Sequence, residues 1–115
     1  MDKKILKWLY DVKISIDEIN SYFIDEKMDF FEYRKNLMRK RAVERNLEII
    51  GEAINRILKT DSSFISKITD ATAIVGLRNQ VIHAYDNISD ETIWAILTNH
   101  LPKLKIEIDT LLKGN

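Results

Sequence analysis

Ile5, Leu9, Val12, Ile16, Ile19 and Phe23 recur at steps of three and four, with Lys3, Lys7, Lys13 and Glu18 between them. That spacing is the stripe of an amphipathic helix. Polar Asp25-Glu26-Lys27 then interrupts it. Asp29 followed three residues later by Glu32 has the form of a capping box, so a second helix is predicted from there to the vicinity of Thr60. Its apolar face carries Val43, Leu47, Ile50, Ile54 and Ile57. At about 30 residues it would be long for a small domain. Gly51 falls inside it, where a glycine more often serves a close helix approach than a break.

Thr60-Asp61-Ser62-Ser63 reads as a loop, because these side chains compete for backbone hydrogen bonds. A short helical piece around Phe64–Ile68 follows. A third main helix is expected from near Asp70, turning Ile74, Leu77, Val81 and Ile82 toward the core and ending near Tyr85-Asp86-Asn87. Ser89 has the form of the next N-cap, with Ile88 and Ile93 placed as a hydrophobic staple. The last helix then buries Ile93, Leu97, Leu101, Leu104, Ile108 and Leu111, and Pro102 inside it should kink it. The sum is an all-α, up-and-down bundle of four main helices with an extra short one, a single domain over residues 1–115.

Composition narrows this further. Three Gly and one Pro are too few for a β-sandwich or barrel of this length, where average usage alone would supply about 8 and about 6. The absence of Cys removes disulfides, thiolate nucleophiles and Cys-based zinc sites. No apolar run reaches the roughly 18 residues of a membrane-spanning helix. Met1-Asp2-Lys3-Lys4 leads into an amphipathic stretch unlike a signal peptide, so a cytoplasmic protein without membrane contact is expected.

Candidate chemistry centres on the two histidines. His100, next to Leu101 and Pro102, reads as a partly buried or surface histidine near the kink. His83 has richer company in Leu77-Arg78-Asn79-Gln80-Val81-Ile82-His83-Ala84-Tyr85. Arg78 and Tyr85, seven apart, share one side of an ideal helix. His83, five beyond Arg78, stands about 140° around the axis from it. Two arrangements would bring the groups together: a rotation of the helix end, or a second copy across a two-fold axis, the simpler of the two. Such a cluster suits cleavage of RNA phosphodiesters. Neutral imidazole can take the 2′-hydroxyl proton, and the guanidinium can stabilise charge developing on the phosphate. A nearby Arg also disfavours imidazolium, keeping a base available near neutral pH. Neither a metal nor another cofactor is required. The alternative is that Arg78 and Tyr85 are surface residues and His83 closes a helix end.

Arg78-x4-His83-x-Tyr85, with Asn79 after the Arg, resembles the R-x4-6-H-x-Y signature of HEPN-superfamily toxins, specifically the HepT-like group. Arg45-Asn46-Leu47-Glu48-Ile49-Ile50-Gly51-Glu52-Ala53 is similar to a helix of that family. So is the stretch from Ile93 to Leu104, with Trp94 and Leu101-Pro102-Lys103-Leu104, to its terminal helix. Relatives often carry a Pro-Ile-Pro-Trp-like stretch before the signature, which here reads Ser63-Phe64-Ile65-Ser66-Lys67-Ile68-Thr69-Asp70. The resemblance implies a homodimeric, metal-independent endoribonuclease with a composite site at the dimer seam, the toxin of a type VII-like toxin–antitoxin module. Arg78 and His83 would be catalytic and Asn79 supporting. The implied partner is a minimal nucleotidyltransferase antitoxin that transfers AMP to Tyr85, where a phosphate adduct would block the site. The alternative within the resemblance is a non-catalytic helical scaffold that binds a nucleotidyltransferase or a nucleotide.

Arg34, Arg41 and Arg45 fall on one face of the expected long helix, opposite Val43 and Leu47. They read either as a phosphate-binding ridge for RNA or as a solvated face paired with Glu44 and Glu48. Glu48, Glu52 and Asn55 continue that face, and the two carboxylates could orient an active-site Arg. Trp8 and Trp94 read as core or interface packing. Lys and Arg number 18 and Asp and Glu 18, so RNA affinity would come from local geometry rather than bulk charge.

Overall fold

A computed structural model describes residues 1–23, 29–83 and 89–114, of which residues 78–83 are described by backbone alone. Helix α1 runs Lys3–Ser21 and is capped by Asp2, whose carboxylate accepts from the backbone N–H of Lys4 at 2.7 Å and of Ile5 at 3.3 Å. Its stripe of Ile5, Leu9, Val12, Ile16 and Ile19 is buried as the spacing requires. Asp29 caps the next helix, accepting from Phe31 and Glu32.

The expected long helix is two helices. α2 spans only Phe30–Lys35, and α3 spans Leu37–Thr60. Asn36 between them is extended, at φ −98° and ψ 92°. Its backbone N–H donates to the Tyr33 carbonyl at 3.1 Å, and its side chain accepts from Arg39 N–H at 2.9 Å. Asn36 thus closes α2 through its backbone and caps α3 through its side chain, the local bond with which such residues compete with a continuous helix. The turn seats Tyr33 fully inside the protein, against Phe23 and Trp94. Within α3, Val43, Leu47, Ile50, Ile54 and Ile57 are buried, and the helix runs unbroken through buried Gly51.

After α3 comes a 3₁₀ turn at Ser62–Ser66, slightly earlier than expected, then α4 at Ala71–His83. Ile74 and Leu77 are buried; the side chains of Val81 and Ile82, and the expected end near Tyr85-Asp86-Asn87, lie outside the described residues. Ser89 caps α5, Asp90–Ala95, through its hydroxyl and Thr92 N–H, while its staple partner Ile88 lies outside the described residues.

α5 passes into a π-helical turn at Ile96–His100 and then into α6, Leu101–Lys113. The Leu101 N–H reaches back five residues to the Ile96 carbonyl. Pro102 follows at once. Its ring would clash with the carbonyl four residues back, and the widened turn accommodates it at the start of a new helix. The interruption that Pro102 predicts is therefore a π turn.

α3 packs against both α1 and α4, and α1 packs against α6, so four main helices enclose one apolar core. Tyr22 Oη donates to buried Asn46 Oδ1 at 2.6 Å, and Asn46 Nδ2 donates to Glu18 at 3.3 Å, joining α1 to α3. Lys13 reaches Asp109 at 3.1 Å between α1 and α6. Among the described residues there is no strand, and no helix is long and apolar enough to cross a membrane.

Candidate functional site

α4 carries the candidate signature, and its start is held from the side. The Thr69-Asp70 turn before it is tied to α6: Thr69 N–H and Oγ1 donate to Glu107 Oε2 at 3.0 and 2.6 Å. Asp70 Oδ2 lies 2.8 Å from His100 Nδ1 and 3.3 Å from Lys103 Nζ. The Asp70 carbonyl accepts from Ile74 N–H at 3.0 Å and so opens the helix. The hydrogen bond to His100 chiefly holds the Asp70 carboxyl below the usual carboxylate range, with partial burial opposing it and Lys103 assisting. His100 is thus the half-buried histidine expected, with a partner 30 residues away that the local sequence does not reveal.

From this anchor α4 turns Ala71, Ile74 and Leu77 inward. Arg78 follows buried Leu77, Asn79 comes next, and His83 is the last residue of the helix. Since the backbone is α-helical through His83, the Arg78 and His83 Cα atoms stand about 140° apart around the axis. The helix end near Tyr85, where a rotation would act, lies outside the described residues. The side chains of Arg78, Asn79 and His83, and all of Tyr85, lie outside the described residues.

α3 supplies the other candidate residues, and the break at Asn36 divides them. Arg34 sits on α2 and does not share a helix face with Arg41 and Arg45, contrary to the single-helix expectation. Arg41 pairs with Glu44 at 3.1 Å, and Arg45 approaches Glu48 at 3.9 Å, so these two lie within a charged, solvated face. Arg34 is exposed and makes no ion pair or hydrogen bond among the described residues.

Arg45, Glu48 and Glu52 come together in a groove of about 250 Å³ between α3 and α1, completed by Trp8, Asp11 and Arg56. Arg56 Nε donates to Glu52 at 2.8 Å. Trp8 and Arg56 belong to this groove although the motifs did not single them out for it. The only local signal was the four-residue step from Glu52 to Arg56. Trp94 instead packs among Phe23, Phe30 and Tyr33.

A family model described as "Ribonuclease HepT-like" matches residues 12–111, a span that includes α3, α4 and most of α6. The chain is similar to several proteins of Methanocaldococcus jannaschii. It is 37% identical to "Putative RNase MJ1380" over 95% of this chain and 98% of the relative. It is 33% identical to "Putative RNase MJ0127" over 96% and 89%, and 32% identical to "Putative RNase MJ0125" over 98% and 96%. An all-helical core, the Arg78-x4-His83-x-Tyr85 spacing and these end-to-end similarities agree: the chain belongs to the HepT-like ribonuclease family.

Proposed function

We propose that residues 1–115 act as one domain, a metal-independent endoribonuclease and the toxin of a cytoplasmic toxin–antitoxin module. The family match over residues 12–111, with Arg78 and His83 toward the C-terminal end of α4, carries this reading. His83 takes the proton of a ribose 2′-hydroxyl, whose oxygen attacks the adjacent phosphorus. The bond to the 5′-oxygen breaks, leaving a 2′,3′-cyclic phosphate, and the 5′-oxygen takes a proton from solvent water. Arg78 stabilises the charge that grows on the phosphoryl oxygens, and Asn79 supports the pair. The 140° separation along α4 favours a composite site, in which the groups of two copies meet at the seam of a homodimer.

Arg41 and Arg45, with Arg34 from α2, hold RNA phosphates, and Glu48 and Glu52 orient the active-site guanidinium from the α3 groove. Tyr85 is the control point. A partner nucleotidyltransferase joins the Tyr85 oxygen to the α-phosphorus of ATP, releasing pyrophosphate, and the adduct competes for the cations of the site.

The test is cleavage of a single-stranded RNA pool by the purified protein in excess EDTA. His83→Ala and Arg78→Ala should each lower the rate at least 100-fold, on the order expected for losing a general base or a charge-stabilising group. Helicity and oligomeric state should stay unchanged. Cleavage by His83→Ala at the parent rate would overturn the assignment.

A further inference from the structure

The break at Asn36 produces a corner that the fold itself does not use. Phe31 on α2 and Leu37 and Met38 at the start of α3 flank it along the chain and remain 65%, 60% and 82% exposed. Within α2, Arg34 and Lys35 stand three and four residues after Phe31, so both lie on the side of the helix that carries its ring. Arg34 has no partner among the described residues, and Lys35 reaches Glu32 only at 4.0 Å. Between Phe30 and Arg45 the chain carries six basic and two acidic side chains, although the whole chain is neutral.

We propose that this corner is a binding platform for single-stranded RNA. Phe31 stacks on a base, Arg34 and Lys35 hold the neighbouring phosphates, and Met38 extends the apolar surface under the next base. The proposal rests on the ribonuclease reading above and adds a substrate-binding surface outside the signature.

Three observations select RNA as the occupant. An exposed aromatic ring flanked by exposed cations is the pairing that single-stranded nucleic acid uses, with the base on the ring and the phosphate on the charge. Arg34 and Lys35 bring positive charge that complements a polyanion, whereas Lys40, Arg41 and Arg45 farther along already face carboxylates. The apolar area is small: three side chains present on the order of 400 Å², against roughly 800 Å² per partner in a stable protein–protein interface.

The fold also puts the corner within reach of the signature. α3 and α4 pack together across the short connection 61–70, so they form a helical hairpin and α4 runs back toward the start of α3. Asp90, seven residues beyond His83, contacts Lys40 at 3.0 Å near the start of α3. Seven residues span at most about 25 Å, which bounds the separation of His83 from this end of the bundle. An RNA strand of a few nucleotides can cover that distance.

The test uses steady-state cleavage of a fluorescent single-stranded RNA 20-mer by the full-length protein, beside the same sequence annealed as a duplex. Phe31→Ala and Arg34→Ala should each raise KM for the single strand about 5–20-fold, in line with the loss of one stacked base or one phosphate contact, with kcat within twofold. Phe31→Trp should retain the parent KM, and Arg34→Ala should reduce the salt dependence of KM. Unchanged KM in both Ala variants, or an equal effect of Phe31→Ala on single strand and duplex, would overturn the platform. So would loss of the parent's oligomeric state in either variant, which would make the corner a contact between copies. If the parent cleaves no RNA, the ribonuclease reading fails instead. Direct binding of the same 20-mer by parent and Phe31→Ala then decides the platform separately.

Discussion

His100→Ala tests the anchor of α4 most directly. The substitution deletes the 2.8 Å contact between His100 Nδ1 and Asp70 Oδ2, while Lys103 remains 3.3 Å from the same carboxylate oxygen. The two side chains are 30% and 17% exposed, so water screens the pair only in part. A charge-assisted hydrogen bond gives about 1.5–3 kcal/mol where dry, and an exposed ion pair usually under about 1. With Lys103 still compensating Asp70, the expected loss is about 1 kcal/mol near neutral pH, or about 3–6 °C in Tm for a chain of this size. The sign of the pH dependence follows from Asp70. Its folded carboxyl is held below its ordinary value of 3.8, first by the His100 hydrogen bond, so the stabilisation is present above about pH 4. It is lost as pH falls through the lower, folded value. Thermal unfolding followed by circular dichroism at pH 6 and pH 2.5 should therefore show a gap between parent and His100→Ala that narrows in acid. A double-mutant cycle with Asp70→Asn should recover most of the gap as coupling energy. An equal gap at both pH values, or no coupling, would show that the imidazole acts by packing alone.

Two further substitutions examine the core and the helix break. Ile54 is fully buried on α3, so Ile54→Ala should cost about 2–5 kcal/mol by transfer and cavity terms, read as a lower urea midpoint at constant slope. Asn36→Ala removes the cap on Arg39 N–H and should cost about 1 kcal/mol, whereas Asn36→Asp, which keeps the acceptor, should stay within about 0.5 kcal/mol of the parent.

The missed helix break shows what periodicity can and cannot carry. Phe30, Tyr33 and Leu37 keep steps of three and four across Asn36, so the apolar pattern reads straight through the corner. Yet Tyr33 is buried and Leu37 is largely exposed. A stripe reports which residues would share a face if the backbone stayed helical. It does not report whether a side-chain acceptor offers the backbone a competing bond. Asn36 held that information, but an Asn within a helical pattern is usually tolerated, and only the aromatic pocket around Tyr33 decides for the turn. Where both the stripe and the cap agreed, as at Ile93 and Ser89, the element formed where they placed it.

The same limit governs the site. The Arg78-x4-His83-x-Tyr85 motif is contiguous and was legible as letters, whereas the contacts that hold its helix are distant in sequence. Asp70 meets His100 across 30 residues and Thr69 meets Glu107 across 38. His100 meets Asp70 from the last residue of the π turn before Pro102, a geometry that no three- or four-residue spacing encodes. Charge behaved in a similar way. Equal totals of acidic and basic side chains hide the fact that Lys40, Arg41 and Arg45 each face a carboxylate, whereas Arg34, turned onto its own short helix, faces none among the described residues. A phosphate must therefore displace a carboxylate at Arg41 and Arg45, whereas at Arg34 it meets no such competitor among the described residues. Asn36 sets this difference, because it turns Arg34 onto a helix separate from Arg41 and Arg45.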